Sequence, residues 1–145
     1  MHDAGERDRT AVREANDRFY RAFESLDLAE MDQIWAHGDE VACVHPGWNR
    51  LHGWEEVRRS WAAIFQSTSE MRFTITDVRV EVREDLAWVH CTENIISETR
   101  GSLSITAILA TNVFERRPRG WRIVHHHASH ILAPQDPGPP GPEVA

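Results

Sequence analysis

Apolar residues recur at three- and four-residue intervals through the first half of the chain. Between residues 6 and 25 they fall at Val12, Ala15, Phe19, Ala22 and Phe23, with Leu26 just beyond, and this spacing predicts an amphipathic helix. Asp27 is placed to cap a short second helix that turns Leu28, Met31, Ile34 and Trp35 inward; His37-Gly38-Asp39 ends it. Residues 41–45, Val-Ala-Cys-Val-His, read as a short strand stopped by Pro46-Gly47. After Gly53 a third helix is expected over residues 54–66, with Trp54, Val57, Trp61, Ile64 and Phe65 on one side.

The second half changes period. Four long strands are expected over residues 71–83, 86–98, 103–116 and 121–131, broken at Arg83-Glu84-Asp85, Arg100-Gly101 and Pro118-Arg119-Gly120. Breaks this short make hairpins, so the strands pair antiparallel. Strict alternation along the last strand puts Trp121, Ile123, His125, His127 and Ser129 on one face and Arg122, Val124, His126 and Ala128 on the other. Polar side chains on both faces imply that one face meets a pocket or a partner. Helices first and a strand meander after them give an α+β layout: three N-terminal helices on a curved antiparallel sheet, cone-shaped. Such a cone leaves a cavity suited to a small molecule.

The domain is expected to run from residue 6 to 132. Residues 133–145 form a tail in which Pro134 to Ala145 holds five prolines and two glycines, a composition that predicts disorder.

The 145 residues suffice for one domain with a real core, and 41% hydrophobic content is ordinary for a soluble protein. A net charge of −7 argues against a nucleic-acid partner. Six tryptophans against one tyrosine suit either an apolar cavity wall or a core. Cys43 and Cys91 lie inside expected strands and read as buried free thiols in a reducing cytoplasm. The N-terminus is charged from Asp3 to Arg13, so no apolar signal segment is expected, and no apolar run approaches a membrane span.

Several segments together resemble the SnoaL-like branch of the nuclear-transport-factor-two-like superfamily: Phe19-Tyr20-Arg21-Ala22-Phe23, Asp27-Leu28, Val44-His45-Pro46-Gly47-Trp48 and Gly53. Trp121-x-Ile123-Val124-His125-x-His127-x-Ser129 is similar to the association domain of calcium/calmodulin-dependent kinase II. The resemblance covers about residues 8–131 and implies the conical fold. It leaves function open, because the fold hosts isomerases, dehydratases, epoxide hydrolases, cyclases and non-catalytic assembly domains.

Alongside steroid delta-isomerase, the resemblance puts His45 at the place of the general-base aspartate, and a histidine is suited to that work near neutrality. It puts Phe19 where that isomerase has its oxyanion-binding tyrosine; Tyr20, one residue on, is displaced by about 100° around the helix. Asn112 falls near the second oxyanion donor and can donate through its amide. In the kinase association domain arginines line the cavity; the matching positions here are Glu93, Asn112 and Ala128. Glu93 shares a strand face with Val89, Cys91 and Ile95. In apolar company its pKa rises and it serves as acid or base; the alternative is an ion pair with Arg18 or Arg21.

His126 is expected on the cavity side with Val124 and Ala128, and Trp48, in a loop beside His45, is the aromatic expected to line the pocket. His125 and His127 project from one strand face at a spacing zinc sites use, but their same-face neighbours Leu109, Thr111 and Val113 offer no third ligand, so no metal is expected. No phosphate-cradling glycine loop is present either, and no cofactor is implied.

The expected activity is binding of a small apolar or hydroxylated molecule, with acid–base catalysis of the isomerase, dehydratase or cyclase type. His45 acts as base, Glu93 as acid or its partner and Asn112 as donor, while Trp48, Cys91, His126, Phe19 and Tyr20 line the pocket. The rival is a non-catalytic ligand sensor or assembly module. A homodimer is expected through the outer sheet face, around Asn94, Thr111, His125 and His127.

Overall fold

A computed structural model describes residues 4–132. The expected disorder of residues 134–145 lies outside the described residues. Helix α1 spans Ala4–Glu24 and buries Val12, Asn16, Phe19, Tyr20, Ala22 and Phe23. Helix α2 spans Leu28–Ile34; its cap is Asp27, whose carboxylate accepts from the Glu30 amide at 3.1 Å. Strand β1 (Ala42–Val44) and a two-residue strand β2 (Leu51–His52) follow, then α3 (Trp54–Ser67). Four long strands complete the chain: β3 (Glu70–Arg83), β4 (Leu86–Thr99), β5 (Ser102–Arg117) and β6 (Gly120–His130).

The strands form one six-stranded sheet in the order β2-β1-β6-β5-β4-β3. The four long strands pair antiparallel, as their short turns require. The sheet as a whole is mixed, because β1 runs parallel to β6. Hairpin reasoning cannot find that pairing, since β1 reaches β6 only after the whole meander has been laid down. The helices cover one face, and the core between them and the sheet holds Phe19, Phe23, Met31, Trp35, Trp61, Val89, Phe114 and Ile123. The architecture is α+β, helices on an open sheet.

One feature of β6 overturns the strict alternation expected for it. Val113 pairs with His125, but Phe114 pairs with Ile123, so Val124 is an extra residue in a bulge. The bulge reverses the parity of the strand. Trp121 and Ile123 face the core at one end, His126 and Ala128 at the other, while His127 and Ser129 face outward. The expected grouping of Trp121 and Ile123 with His125 and His127 is therefore wrong, while Val124, partly buried, packs against the core on the same side as His126. A second bulge, in β3 between Thr76 and Arg79, carries Asp77 at φ 54°.

Candidate functional site

The polar groups buried under the helices come from six elements. Helix α1 contributes Asn16 and Tyr20, β4 contributes Cys91 and Glu93, β5 Asn112, and β6 His126; Ser60 comes from α3, and Cys43 and His45 come from β1 and the residue after it. Register brings them together: Asn112 pairs with His126, and His126 with Cys43, in one row across three strands. Glu93 lies 2% exposed and on the inner face, as expected.

A continuous hydrogen-bonded chain runs through this group. The Tyr20 hydroxyl donates to Glu93 Oε2 at 2.6 Å. The Asn112 amide donates to the Tyr20 oxygen at 3.2 Å and to Asn16 Oδ1 at 2.9 Å. That leaves Asn112 Oδ1 as an acceptor, so His126 donates to it from Nδ1, at 2.5 Å. His126 is thereby fixed as the Nδ1–H tautomer, and burial holds it well below its ordinary pKa, neutral. The Cys91 sulfur sits 3.4 Å from the Tyr20 oxygen, and burial raises its thiol to about 11. Burial also pushes the Glu93 carboxyl up to about 7, with the Tyr20 hydrogen bond opposing the rise. The ion pair with Arg18 or Arg21 that the sequence allowed does not form: Arg18 pairs with Glu30 at 2.9 Å, and Glu93 takes its hydrogen bond from Tyr20.

His45 forms a second polar centre. Ser60 Oγ spends its only proton on the Val57 carbonyl at 2.6 Å, so it accepts from His45 Nε2 at 2.9 Å. The imidazole lone pair is then on Nδ1, 3.9 Å from the Cys43 sulfur. Burial lowers His45 to about 4, so it is neutral at pH 7. His45 lies deep in the fold, 3% exposed.

Aromatic rings wall the two centres. Trp61 stands edge-on to His45 at 4.7 Å and lies 5.8 Å from both His126 and Phe19, ring to ring. Phe19 packs at 5.1 Å from His126 and 4.8 Å from Tyr20. Tyr20 reaches the site despite its displacement from Phe19, because the stripe of α1 buried by the sheet is wide enough to hold both rings. Trp48 is the expected pocket residue that the structure moves. It is 45% exposed and covers His45 from outside, 4.8 Å away edge-on, at the turn closed by the Trp48 amide and the His45 carbonyl. Among the described residues, the indole N–H groups of Trp35 and Trp61 are buried without a hydrogen-bond acceptor.

Asn16 and Ser60 escaped the sequence reading. Each is a polar residue inside the apolar stripe of its helix: Asn16 between Val12 and Phe19, Ser60 between Val57 and Trp61. A polar residue at a core phase was the available signal.

A model of the SnoaL-like domain matches residues 12–134. The chain belongs to the SnoaL-like family. Its solved relatives place it in the nuclear-transport-factor-2-like superfamily. A proposed dehydratase of that superfamily from Streptomyces avermitilis is 39% identical, with a TM-score of 0.85, covering 90% of this chain and 100% of that one. A proposed calcium/calmodulin-dependent protein kinase type II association domain from Thiobacillus denitrificans is 37% identical, with a TM-score of 0.72, covering 81% of this chain and 93% of that one. The F-box protein SKIP8 of Arabidopsis thaliana is 31% identical over 124 residues, 84% of this chain. This SnoaL-like chain spans about half the length of that curated relative, 50%.

Proposed function

We propose that this SnoaL-like protein binds a small neutral molecule between His45 and Glu93 and dehydrates it by acid–base catalysis without a cofactor. The observation that carries the reading is a buried carboxyl held near 7, with no cation paired to it among the described residues, in the same buried interior as a neutral histidine whose proton sits on Nε2. His45 Nδ1 is then the base and protonated Glu93 the acid. The base takes a proton from the carbon beside a carbonyl, the C–H electrons form the double bond, and the C–O bond to a β-hydroxyl breaks as Glu93 protonates the departing oxygen. Water leaves, and proton return from His45 to Glu93 restores both groups. The indole N–H of Trp61, buried without an acceptor beside His45, is the donor left over for the substrate carbonyl. Asn112 acts through Tyr20, holding the hydroxyl that orients Glu93. The similarity to a proposed dehydratase supports the same reaction class.

A panel of uncharged β-hydroxy carbonyl compounds, followed by the ultraviolet absorbance of the conjugated product, tests this. Turnover lost in His45→Ala and Glu93→Gln, with binding retained in Glu93→Gln, is the expected result; no binding and no turnover across the panel contradicts it.

One observation favours a second reading. His45, Glu93, Asn112 and His126 are all closed off from solvent, with Phe19, Trp61 and Phe23 packed about them. An interior filled by side chains suits an assembly module, and the 37% identical association-domain relative agrees with it. Under either reading the outer face of the sheet is the surface for a second copy of this chain: Leu103 (70% exposed) and Ile105 (74%) lie there beside Ile96 and Leu109. The two buried free thiols fit a reducing, cytoplasmic setting. No helix among the described residues is long and apolar enough to cross a membrane.

A further inference from the structure

The turn between β5 and β6 and the end of α2 line an open cleft of ≈ 450 Å³ whose wall also takes in Trp35. Its wall includes Asp32, Gln33, His37, Arg117, Arg119 and Arg122. In a chain of net charge −7 such a concentration of arginine is unusual, and the carboxylates around it are already engaged. Asp32 takes a two-pronged hydrogen bond from Arg58, at 2.7 and 3.1 Å. Glu40 and Glu115 both pair with Arg117, and Glu30 pairs with Arg18. Arg119 and Arg122 have no carboxylate against them among the described residues.

Arg122 is also held in place. Its Nη1 donates to the Trp121 carbonyl at 3.2 Å and lies over Gly120, where a Cβ would stand 3.5 Å away. One donor of five is used, so the guanidinium keeps its fork free. It is half-buried among like charges: burial, then Arg18 and Arg119, pull its pKa down. A half-buried cation facing other cations is destabilising unless an anion offsets it. Trp35, whose indole N–H lacks an acceptor, belongs to the same wall.

We propose that this cleft binds the oxyanion group, phosphate or carboxylate, of a small molecule, gripped by Arg119 and Arg122. Guanidinium forks match both oxyanions in pairs of parallel hydrogen bonds, and a rim site of this kind is separate from the neutral interior.

The test is calorimetric titration of the whole protein with inorganic phosphate and with succinate at fixed ionic strength. Saturable binding of at least one anion is expected, weakened at least about tenfold in Arg122→Gln and in Arg119→Gln, since hydrogen bonds to charged groups contribute roughly 1.5–3 kcal/mol. Arg83→Gln, at an exposed arginine paired with Glu81, should leave binding unchanged. The tighter anion identifies the source as phosphorylated or carboxylated. If Arg122→Gln fails to fold, the exposed Arg119 decides. Absence of saturation with both anions, or equal binding by the folded variants and the unmutated protein, overturns the proposal.

Discussion

Tyr20 and Glu93, 73 residues apart in the chain, meet hydroxyl to carboxylate at 2.6 Å in a site closed to water. The contact joins the first helix to the fourth strand and ties the state of an acid to a network that ends at His126. Glu93 is more comfortable protonated than ionised there, and that has a thermodynamic signature.

Glu93 is raised from 4.5 to about 7, so the folded state holds its proton more tightly than the unfolded state. The stabilisation is fully present below 4.5 and is lost as pH rises through 7. It amounts to about 3 kcal/mol. His45, lowered to about 4, acts in the opposite sense: its contribution is present above 6.5 and lost as pH falls through 4. Denaturant unfolding of Glu93→Gln should therefore lose less stability than the unmutated protein between pH 5 and 8. Parallel curves would mean that Glu93 is not a buried acid.

Ser60 fixes the proton of His45 on Nε2. In Ser60→Ala that buried N–H loses its acceptor, which should cost about 1–3 kcal/mol. Nitrogen-15 imidazole shifts should show the Nε2–H tautomer in the parent and a mixture in the variant. An unchanged tautomer with unchanged stability would remove Ser60 from the site.

Trp48 covers His45 while remaining half exposed itself. Trp48→Ala should lose little stability but admit water to the imidazole, raising the His45 pKa from about 4 toward its ordinary value. Proton NMR of the ring reads this directly; a pKa still near 4 would show that other residues shield it.

Much of this was legible in the sequence, and what was not has physical reasons. The three helices follow from apolar spacing, and the cap at Asp27 from its side chain. The inward positions of Glu93 and Asn112 follow from alternation along strands that pair without interruption between residues 86 and 112. Alternation failed in β6 because Val124 bulges, and a bulge leaves no mark in a pattern that counts only every second residue. The parallel pairing of β1 with β6 depends on the finished sheet. Tyr20 sits one residue past Phe19, a large rotation on a helix, yet its long side chain with a hydroxyl at the tip brings it to Glu93, which a count of helix positions alone does not reveal.

The outer sheet face offers a separate test. Ile105 is 74% exposed and pairs across the strands with Ile96, also exposed. Light scattering at micromolar concentration should give a dimer for the parent and a folded monomer for Ile105→Glu. A monomeric parent contradicts the proposed contact between copies.

The pH dependence of dehydration tests the central claim most directly. His45 must be unprotonated and Glu93 protonated, so kcat/KM for an uncharged β-hydroxy carbonyl substrate should rise through about 4, fall through about 7 and peak between them. Glu93→Gln should abolish the falling limb along with most of the rate. A rate that climbs through pH 7 and beyond, or that survives both His45→Ala and Glu93→Gln, would contradict the account.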